Sequence, residues 1–190
     1  MGCLAWRPGL FGLRAGRYAA EHAASAGTRP EVDPEQVAAA EHEALAPFER
    51  AEGGVNPYSL QQELQDTMQE LVGIIRTEGE LKSALERIGA LKERAEGVGV
   101  EGHRQYNPGW HLALDLRSLL TVSECVAMAA LERRESRGGH TRDDYPKPDP
   151  ELGKVKMVVR ARDGKVSVSR EPLDEMPEDL QDLFEEKPRT

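Results

Sequence analysis

The stretch Trp110 to Leu131, WHLALDLRSLLTVSECVAMAAL, decides how the rest of the chain is read. Leu112, Leu114, Leu116, Leu119, Leu120, Val122, Val126, Met128 and Ala129 lie nearly all round a helical wheel. A helix that is apolar on every side is buried on more than one side. Asn107-Pro108 supplies its start, because proline is tolerated in the first turn, where its missing N–H is not needed. Gly138-Gly139 is the expected stop.

Two amphipathic helices upstream supply the first cover. Ser59 is the expected cap of a helix running to Arg76, with Leu60, Leu64, Met68, Leu71, Val72 and Ile75 at steps of three and four on one face. Thr77-Glu78-Gly79-Glu80 reads as a capping box. It opens a second helix with Leu81, Leu85, Ile88 and Leu91 on one stripe and Lys82, Glu86, Lys92 and Glu93 outside. Gly97-Val98-Gly99 ends it. Three helices can hardly cover the third one completely, so a further surface is expected over it.

Toward the N-terminus, Leu10 to Ala24 reads as a short helix weakened by Gly12 and Gly16, and Ser25 to Pro30 as a linker. Asp33-Pro34-Glu35-Gln36 starts a helix to about Ala51, with Asp33 as cap and Gln36 reaching back, before Gly53-Gly54. Beyond the third helix, Pro146, Pro148 and Pro150 keep the chain extended. Val155, Met157 and Val159 then alternate, Asp163-Gly164 signals a hairpin turn, and Val166 and Val168 continue on a return strand. Pro177 to Glu186 reads as a short acidic helix. The expected architecture is mainly α: a helical arm (1–54), a three-helix domain (55–150), and a small β-hairpin with an acidic tail (151–190).

Composition narrows the function classes. The 190 residues are 38% hydrophobic and 31% charged, with a formal net charge of -9 and a pI near 5.2. An acidic chain repels phosphate backbones, which argues against nucleic acid. No apolar run approaches the roughly 18–20 residues of a membrane span. Cys3 and Cys125 lack close metal-type partners, and two free thiols fit a reducing, cytoplasmic setting. The arginine-bearing segment Met1 to Ala26 lacks the continuous apolar core of a secretory signal.

The densest polar cluster runs from Glu132 to Pro146. On composition it reads as a solvated helix end, with arginines near the negative end of the dipole. The same guanidinium forks and imidazole also suit carboxylates or phosphates. His140 with Asp143 or Asp144 has no second His or Cys at ligand spacing. His103 and His111 read as surface or packing residues. There is no nucleophile motif, no G-x-G-x-x-G and no phosphate-binding loop.

Three segments in order carry a resemblance. Asn56-Pro57-Tyr58-Ser59-Leu60-Gln61-Gln62-Glu63-Leu64-Gln65-Asp66-Thr67-Met68 is followed by Gly73-Ile74-Ile75-Arg76-Thr77-Glu78, then by Glu135-Ser136-Arg137-Gly138-Gly139-His140-Thr141-Arg142-Asp143-Asp144-Tyr145-Pro146. Together they resemble the C-terminal region of succinate dehydrogenase/fumarate reductase flavoprotein subunits, over roughly Leu10 to Phe184. The related L-aspartate oxidases share parts of the pattern. The hairpin and the Met-Pro-Glu-Asp-Leu tail look more like the dehydrogenase branch.

The resemblance implies a parent enzyme that binds FAD on a Rossmann-like domain and moves hydride between succinate and fumarate. Electrons pass to an iron–sulfur subunit and a quinone site at the cytoplasmic face of the inner membrane. It implies that the three-helix region is a support layer packed against the flavin domain. The family's R-L-G-x-N-S-L segment would place its asparagine, serine and leucine near Cys3 to Ala5, where they are absent, and its arginine before Met1. No catalytic residue carries over, and no cofactor is expected on this chain alone. The motif positions that do map are Arg76, Arg134, Glu135, Ser136, Arg137, His140 and Arg142. The expected partners are the FAD-binding domain and the iron–sulfur subunit. A free-standing helical interaction module and a fragment of L-aspartate oxidase type are the alternatives.

Overall fold

The computed structural model describes residues 6–27, 31–162 and 165–176. Contacts divide the chain into two units, Met1–Glu43 and Ala44–Thr190. The first holds α1 (Trp6–Ser25) and most of α2 (Pro34–Glu49). Ser25 Oγ donates to the His22 carbonyl at 3.0 Å where α1 ends. Asp33 caps α2 as expected, through Oδ1 to the Glu35 amide at 2.9 Å.

The second unit contains the three-helix core: α3 (Pro57–Leu71), α4 (Glu78–Ala95) and α5 (Pro108–Glu132). Leu60 and Leu64 of α3, Leu81, Ala84, Ile88 and Leu91 of α4, and Leu112, Leu116, Leu120, Ala127 and Ala130 of α5 form one buried cluster. At roughly 1.5–3 kcal/mol per fully buried large side chain, this seam is the main stabilising term. The caps match the chemistry of the sequence. Thr77 and Glu80 form the reciprocal capping box, and Asn107 Oδ1 accepts from the Trp110 amide at 3.1 Å.

Three local expectations are corrected. Asn56, not Ser59, caps α3, its Oδ1 accepting from the Tyr58 amide at 2.8 Å. The helix stops at Leu71 instead of Arg76: Val72 turns into the core, and Ile75–Arg76 becomes a short strand, β1. β1 pairs in parallel with β2 (Thr141–Arg142), a non-local contact that helical periodicity cannot reveal. α5 ends at Glu132, six residues before the glycines. Gly138 (φ 62) instead sits in a tight turn closed between Arg137 and His140.

Gly97-Val98-Gly99 does more than end α4. Val55 and Val98 form a parallel bridge, with the Val55 amide donating to the Gly97 carbonyl and the Gly99 amide to the Val55 carbonyl. The backbones at Gly54 and Gly99 touch: a Cβ on Gly99 would stand 2.1 Å from the Arg50 carbonyl oxygen. The end of α2 joins this layer. Trp110 Nε1 donates to the Ala44 carbonyl at 2.7 Å, and the Phe48 and Trp110 rings lie 5.4 Å apart.

A 3-10 turn (Leu152–Lys154) leads into β3 (Val155–Arg162), which pairs antiparallel with β4 (Lys165–Pro172), Val159 opposite Val168. The hairpin is as expected, although its Asp163-Gly164 turn and the Pro177 to Glu186 helix lie outside the described residues. It is held to α5 by an ion pair between Arg170 and Glu132 at 2.7 Å. On the far side of α5, Leu114, Leu119, Val122 and Val126 are exposed. The helix is therefore covered on one side, not all round.

Candidate functional site

The motif positions gather where α5 ends, around two buried ionised groups. The first is Glu135, which has no exposed surface. Its Oε1 accepts from Arg133 Nε at 2.9 Å and from Arg137 Nη2 at 3.0 Å, and its Oε2 accepts from the Asp149 amide at 2.9 Å. Burial alone would raise its pKa. The Asp149 amide and the two guanidiniums outweigh that and hold it at about 2. Arg137 also reaches the Leu152 carbonyl at 3.2 Å, so this carboxylate ties the helix end to the start of the hairpin.

The second group is Arg142, also fully buried. Its Nη1 donates to the carbonyls of Ala130 and Leu131 at 2.9 and 3.2 Å, satisfying acceptors left open by the last turn of α5. Its Nε and Nη2 form a two-pronged pair with Asp144 at 2.8 and 2.7 Å. Asp144 Oδ2 also accepts from the Glu78 amide at 2.8 Å, at the start of α4. The Arg142 bond holds the Asp144 carboxyl at about 2, and the same bond raises Arg142. This pair therefore places a cation at the C-terminus of one helix and an anion at the N-terminus of the next, both favourable to the helix dipoles. Ser136 Oγ completes the brace, accepting from the Arg142 amide at 2.8 Å and lying 2.9 Å from the Tyr145 carbonyl oxygen.

Composition reads this cluster as a solvated helix end, and burial overturns that reading for Glu135 and Arg142. Arg134 does remain exposed. His140 is half-buried with Nε2 2.9 Å from the Arg133 carbonyl oxygen. Burial, then the charges of Arg76, Arg133 and Arg142, lowers its pKa, which favours the neutral ring. Arg76 is half-buried beside this brace, and its Nε is buried without a hydrogen-bond partner among the described residues. The sequence reading gave no site role to Arg133, Tyr145 or Asp149, and it weighed Asp144 only as a metal-type partner of His140, not as the partner of Arg142. Only the Arg142-x-Asp144 spacing hinted at a local pair, since i and i+2 share a face in extended chain.

The N-termini of α2, α3, α4 and α5 are capped by Asp33, Asn56, Thr77 and Asn107, each side chain accepting from one open amide. No group of three or more His, Cys, Asp or Glu among the described residues stands ready for a metal ion. Every oxygen of Glu135 and Asp144 accepts at least one hydrogen bond, so both carboxylates are spent on the ionic brace. What such a brace can do is hold the ends of α4, α5 and the hairpin in fixed register.

With this geometry in hand, the comparisons decide the lineage. Residues 61–188 match the family model described as fumarate reductase flavoprotein C-term. The chain belongs to the succinate dehydrogenase/fumarate reductase flavoprotein family. It is 32% identical over 171 residues to the fumarate reductase flavoprotein subunit of Mycobacterium tuberculosis, covering 86% of this chain and 29% of that protein. It is 36% identical over 124 residues to the succinate dehydrogenase flavoprotein subunit of Coxiella burnetii, covering 65% of this chain and 21% of that one. Among solved structures, a chain of the Mycobacterium smegmatis Sdh1 complex superposes with a TM-score of 0.86 at 47% identity, over 93% of this chain and 30% of that one. The chain thus spans less than a third of these family members, and what it matches is their C-terminal domain. Neither the free-standing module nor the aspartate oxidase reading is favoured by these matches.

Proposed function

We propose that this chain is the helical support layer of a flavoprotein that interconverts succinate and fumarate. The hydride chemistry then belongs to an FAD-holding body outside these residues, and the electrons go to an iron–sulfur subunit. The observation that carries the reading is the coincidence of the family motif with the buried brace. Glu135, Ser136 and Arg142 spend their polar atoms on the ends of helices and on the hairpin, not on a site open to substrate. In this reading the chain contributes a rigid surface and no reacting group. The exposed apolar face of α5 suits a layer that is covered in a larger assembly.

No helix among the described residues is long and apolar enough to cross a membrane. A cytoplasmic position beside a membrane-bound complex accords with the cysteine-poor composition, two cysteines in 190 residues. The test is spectroscopic and kinetic. Purified chain should show no flavin absorbance after incubation with FAD, and no fumarate-dependent oxidation of reduced viologen. A yellow, fumarate-reducing preparation would refute the assignment of the chemistry to a separate body.

A further inference from the structure

Arg76 is the one described side chain with a buried polar atom that has no hydrogen-bond partner. It borders an open groove of about 760 Å³ between α3 and β1, with Gln65, Gln69, Val72, Ile74 and Gly139 on its walls. No carboxylate among the described residues pairs with Arg76. Burial, and then the charge of Arg142, lowers the Arg76 pKa, and Arg142 is itself already paired with Asp144. Asp66, the groove's acid, accepts from Gln62 Nε2 at 2.9 Å. Ile74, on the wall of the same groove, is 76% exposed, and it directly precedes the short strand that pairs with β2.

A buried guanidinium nitrogen without an acceptor and an exposed isoleucine, Ile74, on the same groove each cost free energy, and one occupant relieves both. A small free anion would pair with Arg76 and leave Ile74 wet. A polypeptide segment carrying a carboxylate between apolar side chains answers the groove as a whole. Its source follows from length: more than two thirds of each similar flavoprotein lies outside the part this chain matches.

We propose that the Arg76 groove is a docking seat for an acidic, apolar-flanked segment of the flavin-holding body, whose carboxylate pairs with Arg76 while Ile74 packs beside it. This rests on the support-layer reading and adds the contact on which that layer is seated. β1 transmits the contact inward, because the Arg76 carbonyl accepts from the Asp143 amide, next to the Arg142–Asp144 pair.

The test co-expresses the full chain with the part of the Mycobacterium smegmatis Sdh1 flavoprotein that it does not match, and reads co-purification. Wild-type chain should co-purify. Arg76→Met and Ile74→Asp should each reduce recovery on the order of tenfold or more, and Arg76→Lys, which keeps the charge but not the fork, should fall between. If Arg76→Met co-purifies as well as wild type, the seat is wrong and the support layer stands. If wild type fails while the Sdh1 protein's own C-terminal segment succeeds, both readings fail. A second measurement needs no partner. In the isolated chain Arg76→Met should melt no lower than wild type, and a drop of several degrees would overturn the proposal by showing that Arg76 is already satisfied internally.

Discussion

Arg142 shows how a single residue can carry two helix ends. Its guanidinium satisfies the last carbonyls of α5 and, through Asp144, the first amide of α4. Replacing it by methionine keeps the stem and removes every one of these bonds, leaving Asp144 with one amide donor. Asp144 still reaches water, so the cost lies mainly in the two α5 carbonyls left without their donor, about 1–3 kcal/mol each and a large fraction of a domain's total stability. Arg142→Met should therefore shift the urea midpoint strongly downward, and a loss below about 1 kcal/mol would show that water replaces the brace. The residue types of this site were legible in the sequence, as was their clustering in a glycine-rich turn. Their burial was not. A run of alternating charges looks the same whether it faces water or folds back onto helix ends, because the acceptors it uses are backbone carbonyls without sequence identity.

At the level of elements, α4 and α5 follow from local chemistry. Thr77 and Glu80, and Asn107 with Pro108, are start signals that need no knowledge of the fold. Ends are less legible. α3 stops at Leu71 because Val72 is more stable in the core and β1 more stable against β2 than either would be in another helical turn. The segment around Gly97-Val98-Gly99 looks like a helix stop and serves as half of an interlock with Val55. That interlock tolerates no side chain at Gly99, where the obstructing atom is backbone. Gly99→Ala should destabilise the chain by about 2–4 kcal/mol, measured by chemical melting, with α-helical content in the native baseline unchanged. Alanine accommodated at less than about 0.5 kcal/mol would mean that the 54–55 and 97–99 segments are not in contact in solution.

For the whole molecule, the two carboxylates of the brace set the response to acid. Glu135 and Asp144 are held at about 2, whereas the same groups in an unfolded chain titrate near about 4. As pH falls below about 4, the unfolded state takes up protons that the folded state refuses, so stability drops until both states are protonated near pH 2. Thermal melts should therefore fall steeply between about pH 4 and 2, and the Glu135→Gln/Asp144→Asn double variant should lose much of that slope; an identical acid profile in the variant would place the linkage elsewhere. Amphipathic periodicity, caps and the strand alternation by themselves determined that this protein has a three-helix core and a hairpin, since each depends on residues close together in the chain. The ordered motif determined its family. Only the tertiary structure decided which charges are buried, that β1 meets β2, and that one face of α5 and the Arg76 groove remain open. Those outcomes depend on contacts between distant segments, whose energies are read only once the chain has brought them together.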